Sequence, residues 1–407
     1  MTPRMRSVEE HQRVVASLIG ARSAVEVPVA EAGGLVLADD VVAPLSLPVF
    51  DNSAMDGYAV RAADIVGASA ATPVTLPVAE DIPAGRTDRL TLAAGTAHRI
   101  MTGAPIPAGA DAVVPVEATD AGYSVVQIRT AATPGKHIRR AGEDVTTGTT
   151  VLRAGEVLGP AALGLIAALG IARLRAIPPQ RVLVISTGSE LVAPGTPLQP
   201  GQIYESNAVM LAASVREAGA QVAGVATCGD DVAQFRAVLD EYVGRADVVI
   251  TSGGVSAGAY EVVKDAFPAD GPGARVDFVK VAIQPGMPQG SGSLSDGRAI
   301  VTLPGNPVSA LVSFEVFIRP ALRTAMGLAP NRVRRMAVLA EALASPGGKR
   351  QFRRGVYDDD SGTVTSYGPP ASHHLRWLAS ANCLLDIGED VTAIAAGEPV
   401  NLWDLPT

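Results

Sequence analysis

The chain has 407 residues, 47% of them apolar and 18% charged, a globular composition that excludes a mostly disordered protein. At about 150 residues per domain, its length accommodates two to four domains. A formal charge of −8 argues against a chain-wide electrostatic grip on nucleic acid or anionic lipid, so neither nucleic acid nor membrane is expected as a partner.

Residues 7–20 read as a helix. Ser7 and Glu10 form the S-x-x-E capping box, and Val8, Val14, Val15 and Leu18 follow an approximate helical stripe. The opening MTPRMRSVEEHQRVV has no apolar core of a signal peptide, and a cytoplasmic protein is expected. Residues 25–47 hold short extended stretches broken by Gly33, Gly34 and Pro44. Residues 48–138 change to short alternating runs rich in Pro, Gly, Ala, Thr and Val, which predicts a small all-β unit. A mixed pattern returns over 139–177. It includes an Ala/Leu helix over 160–170 with Pro160 at its start. The longest apolar run, Ala161–Ala172, falls short of the roughly 20 residues needed to span a bilayer.

Residues 178–327 carry the clearest pattern. Apolar runs at 181–187, 221–227, 246–252, 277–283 and 298–304 alternate with helical segments near 206–218, 231–243, 260–267 and 307–326. This predicts a doubly wound, mostly parallel α/β sheet covered on both faces. Residues 328–407 revert to short β runs and predict a small C-terminal β domain. The two cysteines, Cys228 and Cys383, allow no disulfide framework, CxxC pair or zinc-knuckle spacing, and Cys228 reads as a packing residue.

Ligands of open α/β sheets bind at the carboxyl ends of the strands. The residues there are Ser186, Thr187, Gly188, Ser189 and Glu190; Gly229, Asp230 and Asp231; Ser252, Gly253, Gly254 and Ser256; and Pro304, Gly305, Asn306 and Ser309. Glycines let backbone approach a ligand, and N–H groups at helix starts favour an anion. The carboxylates Glu190, Asp230 and Glu261 on the same edge suit Mg²⁺ between protein and phosphate. Walker A and G-x-G-x-x-G strings are absent after every strand. Plainer roles stand beside these: structural glycine turns, Asp230 and Asp231 as helix cap, Glu190 answering a helix dipole. A second constellation lies at 51–59, 101–105 and 139–144, including Asp56 and Asp144; each string alone reads as a turn. His373 and His374, adjacent in a strand, would point to opposite faces and not chelate one metal.

Together, FDNSAMDGYAV at 50–60, RIMTGAPIPAGADAVV at 99–114, RRAGED at 139–144, STGSEL at 186–191, TSGGVSAG at 251–258 and LPGNPVSA at 303–310 are no longer generic. In order and spacing, from about residue 7 to the C-terminus, the chain resembles the molybdopterin molybdenumtransferase (MoeA-type) family, which includes the E domain of gephyrin. The resemblance implies four domains: a discontinuous mixed N-terminal domain of 1–47 and 139–177, the β unit of 48–138 inserted in it, the α/β domain of 178–327, shared with molybdopterin adenylyltransferases, and a C-terminal β barrel over 328–407. It implies a homodimer with the site between protomers, and a reaction of adenylylated molybdopterin with molybdate and Mg²⁺ that releases AMP. Contacts with a molybdopterin adenylyltransferase and with molybdoenzymes are the partners it implies.

Carried onto this sequence, the resemblance makes Asp56, Asp144, Glu190 and Asp230 the functional carboxylates. Glu190, Asp230 and Glu261 would bind metal. The residues at 186–188, 252–256 and 304–309 named above would line the nucleotide and phosphate pocket. Departures are plain: Ser189 where the family often has Asp, Glu261 where it often has Asp, and Gln284 and Met287 where many members have lysines that hold the oxyanion. Lys280, Arg350, Arg353, Arg354 and Ser372 are candidate replacements. Two other activities compete, adenylylation of molybdopterin and a non-catalytic molybdopterin-binding scaffold. The full N- and C-terminal regions count against the first, and the retained carboxylates against the second.

Overall fold

The computed structural model describes residues 5–254, 262–267 and 274–405. The chain divides into two compact units, one of Met1–Val25, Gly34–Val36 and Arg175–Thr407, the other of Glu26–Gly33 and Leu37–Leu174.

The first unit opens with helix α1 (Val8–Leu18), whose Ser7–Glu10 capping box is formed in both directions. Its buried Val8 and Val15 join the α/β core. The sheet comprises β1 (Arg181–Thr187), β2 (Gln221–Cys228), β3 (Val248–Ser252), β4 (Arg275–Lys280), β5 (Pro288–Ser293) and β6 (Ala299–Leu303). Its order is β2-β1-β3-β6-β5-β4. The first four strands run parallel, whereas β5 and β4 are antiparallel. This corrects two expectations. The run at 277–283 is an antiparallel edge strand, and β5, absent from the sequence pattern, separates it from β6.

Alternate residues of β1 face opposite cores: Val182 and Val184 join one cluster, Leu183 and Ile185 the other. Burial on both faces is why these strands read as continuous apolar runs. Helices α2 (Asn207–Glu217), α3 (Val232–Glu241), α4 (Val262–Ala266) and α5 (Pro307–Ser313) follow β1, β2, β3 and β6. The helix expected over 307–326 is interrupted by a π-helical turn, Phe314–Ile318, before α6 (Arg319–Ala325). Glu315, buried in that turn, is paired with Arg332 at 2.8 Å and Arg319 at 3.7 Å.

The C-terminal region is a closed barrel of β7 (Arg334–Leu339), β8 (Arg350–Asp358), β9 (Thr363–Ser366), β10 (Cys383–Ile387) and β11 (Pro399–Asp404), with α7 (Leu375–Ala379) before β10. Its ring runs β8-β9-β7-β11-β10 and returns to β8. A two-residue strand from the α/β region, Ile283–Gln284, pairs in parallel with Arg350 and Gln351 of β8.

The second unit contains a five-stranded sheet in the order Ala112–Pro115, Gly57–Val60, Ala97–Ile100, Val74–Ile82, Val125–Ile128. Tyr58, fully buried in its core, donates its hydroxyl to the Gly122 carbonyl at 2.8 Å. Around this insert the flanking chain pairs with itself, Val41–Val42 with Thr150–Leu152 and Leu47 with Val145. Among the described residues, no helix is long and apolar enough to cross a membrane.

Candidate active site

The chain leaves β1 for β2 on one side and then returns to β3 on the other, so the sheet has a topological switch between β1 and β3. A cavity of about 1150 Å³ opens there, at the carboxyl ends of β1, β3 and β6. Its floor is backbone. Gly253 has φ +95°, and a Cβ there would lie 2.7 Å from the Thr187 carbonyl oxygen. A Cβ on Gly305 would stand 3.6 Å from the Gly253 Cα, so the β3 and β6 loops meet glycine to glycine. Ser186, Thr187, Gly188, Ser252, Gly254, Pro304, Asn306 and Ser309 also line the cavity.

Two exposed carboxylates share the cavity, Glu190 and Asp230. The Glu190 carboxylate lies over Gly188, where a Cβ would come within 2.7 Å of its Oε2. Glu190 leads into a short strand, Leu191–Val192, so no helix dipole explains it. Asp230 and Ser189 are tied reciprocally: the Ser189 amide donates to Asp230 Oδ2 at 3.2 Å, and the Asp230 amide to Ser189 Oγ at 3.1 Å. Ser189, the residue that departs from the family's Asp, thus positions Asp230. Asp231 caps α3, accepting from the amides of Ala233 and Gln234 at 2.7 and 3.0 Å. The cap role therefore belongs to Asp231, and Asp230 is left facing the cavity.

The sequence motifs missed two cavity residues. Glu205 is buried; its Oε1 accepts from Ser186 Oγ at 2.8 Å and from the Ala208 amide at 2.6 Å. Asn207, also buried, donates Nδ2 to Ser252 Oγ at 2.7 Å and to the Gly305 carbonyl at 2.6 Å, tying the β3 and β6 loops together. Its Oδ1 is buried without a partner among the described residues. The YESN string reads only as a helix start, so nothing in it distinguishes these residues.

Another wall comes from Ile283–Pro288 and the barrel. The loop is fixed from below by Gln289, whose Nε2 donates to the Gly286 carbonyl and to Ser313 Oγ, both at 2.7 Å. Gln284 and Met287, the two positions at which the resemblance implies lysines, line the cavity. Ser372 lines it too, its Oγ accepting from Asn306 Nδ2 at 2.9 Å. Lys349, half-buried, is the one lysine or arginine on the cavity among the described residues.

The other cationic candidates lie elsewhere. Arg350 is clamped by Asp386, at 2.7 Å through both Nε and Nη2, and by Glu9 at 2.6 Å. Arg353 donates to the Ala344 carbonyl at 3.1 Å, and Lys280 pairs with Pro288 on the edge strand; neither lines the cavity. Arg354 lies beneath the loop that carries Ser372. Lys349 sits in the bend just before β8 and lines the cavity, whereas Arg350, the first residue of β8, is turned to Asp386 and Glu9. His373 also lines the cavity; with His374 it precedes α7 in a turn, not in a strand.

Ser256 and Glu261 lie outside the described residues. Asp56 and Asp144 belong to the second unit. There the Thr102 amide and hydroxyl donate to Asp56 Oδ1 at 2.6 and 2.8 Å, and these bonds lower its pKa. Asp144 is exposed on its loop. Cys228 is buried, and burial, with Asp230 nearby, pushes its thiol up to about 11, so it is no thiolate nucleophile. No group of three metal-ligating side chains exists among the described residues. The cavity's donor set is two open carboxylates, which fits a hydrated Mg²⁺ shared with phosphate oxygens rather than a closed protein cage.

Residues 6–170 match the family model of the MoeA N-terminal region (domain I and II), and 183–324 that of a probable molybdopterin binding domain. Residues 336–405 match the MoeA C-terminal region (domain IV). Molybdopterin molybdenumtransferase 2 of Mycobacterium tuberculosis is 70% identical over 405 residues, spanning 98% of this chain and 100% of that one. The chain belongs to the molybdopterin molybdenumtransferase family. Molybdopterin molybdenumtransferase 1 of the same organism is 38% identical over 98% of both chains. The Haemophilus influenzae molybdopterin molybdenumtransferase is 36% identical over 91% of both. The solved molybdopterin biosynthesis moea protein of Pyrococcus horikosii, 31% identical, superposes with TM-score 0.79 over 99% of this chain and 100% of its own. Among the described residues, this chain's cavity carries neutral Gln284 and Met287 and one lysine, Lys349.

Proposed function

We infer that this chain is a molybdopterin molybdenumtransferase that inserts molybdenum, supplied as molybdate, into adenylylated molybdopterin and releases AMP. The observation that carries the reading is the composition of one cavity: a glycine-backbone floor, two exposed carboxylates and one lysine. The floor supports a pyrophosphate, whose oxygens need donors at close approach. Glu190 and Asp230 would hold Mg²⁺, which when bound offsets the pyrophosphate charge and polarises the bond to be cut. Lys349, Ser372 and the Asn306 amide suit an oxyanion such as molybdate, with the lysine taking over from the residues replaced at 284 and 287.

AMP release from adenylylated molybdopterin, with and without molybdate and Mg²⁺, tests the reading for wild type, Glu190→Ala and Lys349→Met. Release that needs both ions, is lost in Glu190→Ala, and needs at least about tenfold more molybdate in Lys349→Met supports it. Tight substrate binding with no release under any condition overturns it in favour of a carrier. Asp56 and Asp144 are proposed as further carboxylates of the same reaction, tested by their Asn variants. The homodimer is likewise a proposal, which a monomer in sedimentation at micromolar concentration would overturn.

A further inference from the structure

We propose that His373 moves protons in the metal-transfer step, taking them from the dithiolene thiols and giving them to the oxygen that leaves molybdate. The inference rests on the function proposed above.

The chemistry sets the demand. When molybdate reacts with a dithiol, two Mo–S bonds form and one Mo–O bond breaks. The departing oxygen leaves as water and carries away both thiol protons, and the oxidation state of molybdenum is unchanged. Thiols, with a free pKa near 8.5, still hold most of their protons at neutral pH, and an oxo ligand leaves poorly until it is protonated. A group that both accepts and donates near neutrality would therefore speed the exchange.

The titratable side chains on the cavity, among the described residues, are Glu190, Tyr204, Glu205, Asp230, Lys349 and His373. Of these side chains the imidazole is the one that carries a donor and an acceptor nitrogen on a single ring, as a group that takes up one proton and delivers another requires.

Position supports the role. The loop carrying His373 is held by the buried Arg354, which donates Nη1 to the carbonyls of Ala371 at 3.3 Å and His374 at 3.1 Å, and Nη2 to that of Pro369. The Val308 amide donates to the Ser372 carbonyl at 3.0 Å, and the Leu375 amide to the His373 carbonyl at 3.1 Å. The His374 ring meets the His373 ring edge-on, centroids 4.3 Å apart. The backbone is thus pinned on both sides of His373, while its imidazole is exposed on the cavity and bonds to no described residue. The residue before it, Ser372, is on the patch proposed for the oxyanion. The charged groups around the ring are Arg354 under the loop and Lys349 on the cavity wall, with Glu190, Glu205 and Asp230 in the same cavity; His374 is the titratable neighbour.

The test uses the full chain with adenylylated molybdopterin and saturating molybdate. It compares wild type with His373→Gln and His373→Ala, and reads molybdenum bound to product, substrate affinity and thermal midpoint. The expected result is unchanged midpoint and affinity with about a hundredfold slower molybdenum incorporation. The acid limb of the wild-type pH profile should disappear in His373→Gln, and free imidazole should restore His373→Ala. Incorporation by His373→Gln at the wild-type rate with the wild-type pH profile would overturn the proposal. So would a loss accompanied by equal loss of substrate binding and unaffected by imidazole. Failure of the wild type itself to load molybdenum would instead overturn the underlying function.

Discussion

Replacing Asn207 should loosen the site and the fold together. Its Nδ2 holds Ser252 Oγ and the Gly305 carbonyl at 2.7 and 2.6 Å. Asn207→Ala leaves both acceptors without that donor. At about 1 kcal/mol net per hydrogen bond, the loss is about 2 kcal/mol, offset by only a few tenths from the better helix propensity of Ala. In a unit of this size that corresponds to a fall in Tm of roughly 4–8 °C. Asn207→Asp is worse at neutral pH, because a carboxylate oxygen would then face the Gly305 carbonyl and share the neighbourhood of buried Glu205. Thermal unfolding and urea titration of the full chain, at pH 7 and pH 5, read both variants. The order wild type, then Ala, then Asp is expected at pH 7, with Asp recovering towards Ala in acid as its carboxyl takes up a proton. An Ala variant within 1 °C of wild type, or an Asp variant more stable than Ala at pH 7, would refute the reasoning.

Two more expectations follow from single residues. His11 is fully buried, and burial, with Arg6 beside it, lowers its imidazole from 6.5 to about 4. The unfolded chain therefore binds the extra proton first, and stability that is complete above about pH 6.5 is lost as pH falls towards 4, by about 3 kcal/mol from this group. Urea unfolding of His11→Gln should show that much less pH dependence over the window; an unchanged slope would remove His11 from the account. Gly253→Ala combines a left-handed φ with a Cβ 2.7 Å from the Thr187 carbonyl, whereas Gly297→Ala has φ +86° and no atom within 4 Å. Both carry a backbone cost of about 1–2 kcal/mol, and calorimetric titration should show only Gly253→Ala weakening AMP binding, by at least about tenfold. Equal AMP affinity in the two variants would mean the Gly253 loop does not contact the nucleotide.

The parts of the fold that were legible in the sequence are those where burial and sequence pattern coincide. Strand β1 was readable because Val182–Ile185 are buried on alternating sides. Strand β5 was not, because its sequence is PQGSGS. A Cβ on Gly292 would sit 1.8 Å from the Arg275 carbonyl oxygen, so close approach to β4 demands glycine where strand propensity would ask for branched residues. The site shows the same division. Glycine loops after strands announce themselves, and so do Glu190 and Asp230 within them. Asn207 and Glu205 look like any helix start until their partners, 45 and 19 residues away in sequence, are seen. Lys349 is one of two adjacent cations, and only the pairing of Arg350 with Asp386 shows which one is free to face the cavity. The expectation that the histidine pair lies in a strand failed because α7 begins immediately after it.

The parallel pairing of Ile283–Gln284 with Arg350–Gln351 makes the α/β region lend a strand to the barrel. The barrel is therefore not an appendage that could be trimmed while leaving a working pocket behind. A chain ending near residue 327 would keep every glycine loop yet expose an unpaired strand edge, and would lose Lys349, Ser372 and His373 at one stroke. The two stretches of sequence that wall the cavity, 283–288 and 349–373, are thus held in one packed body by that ladder together with the Val308–Ser372 and Asn306–Ser372 hydrogen bonds.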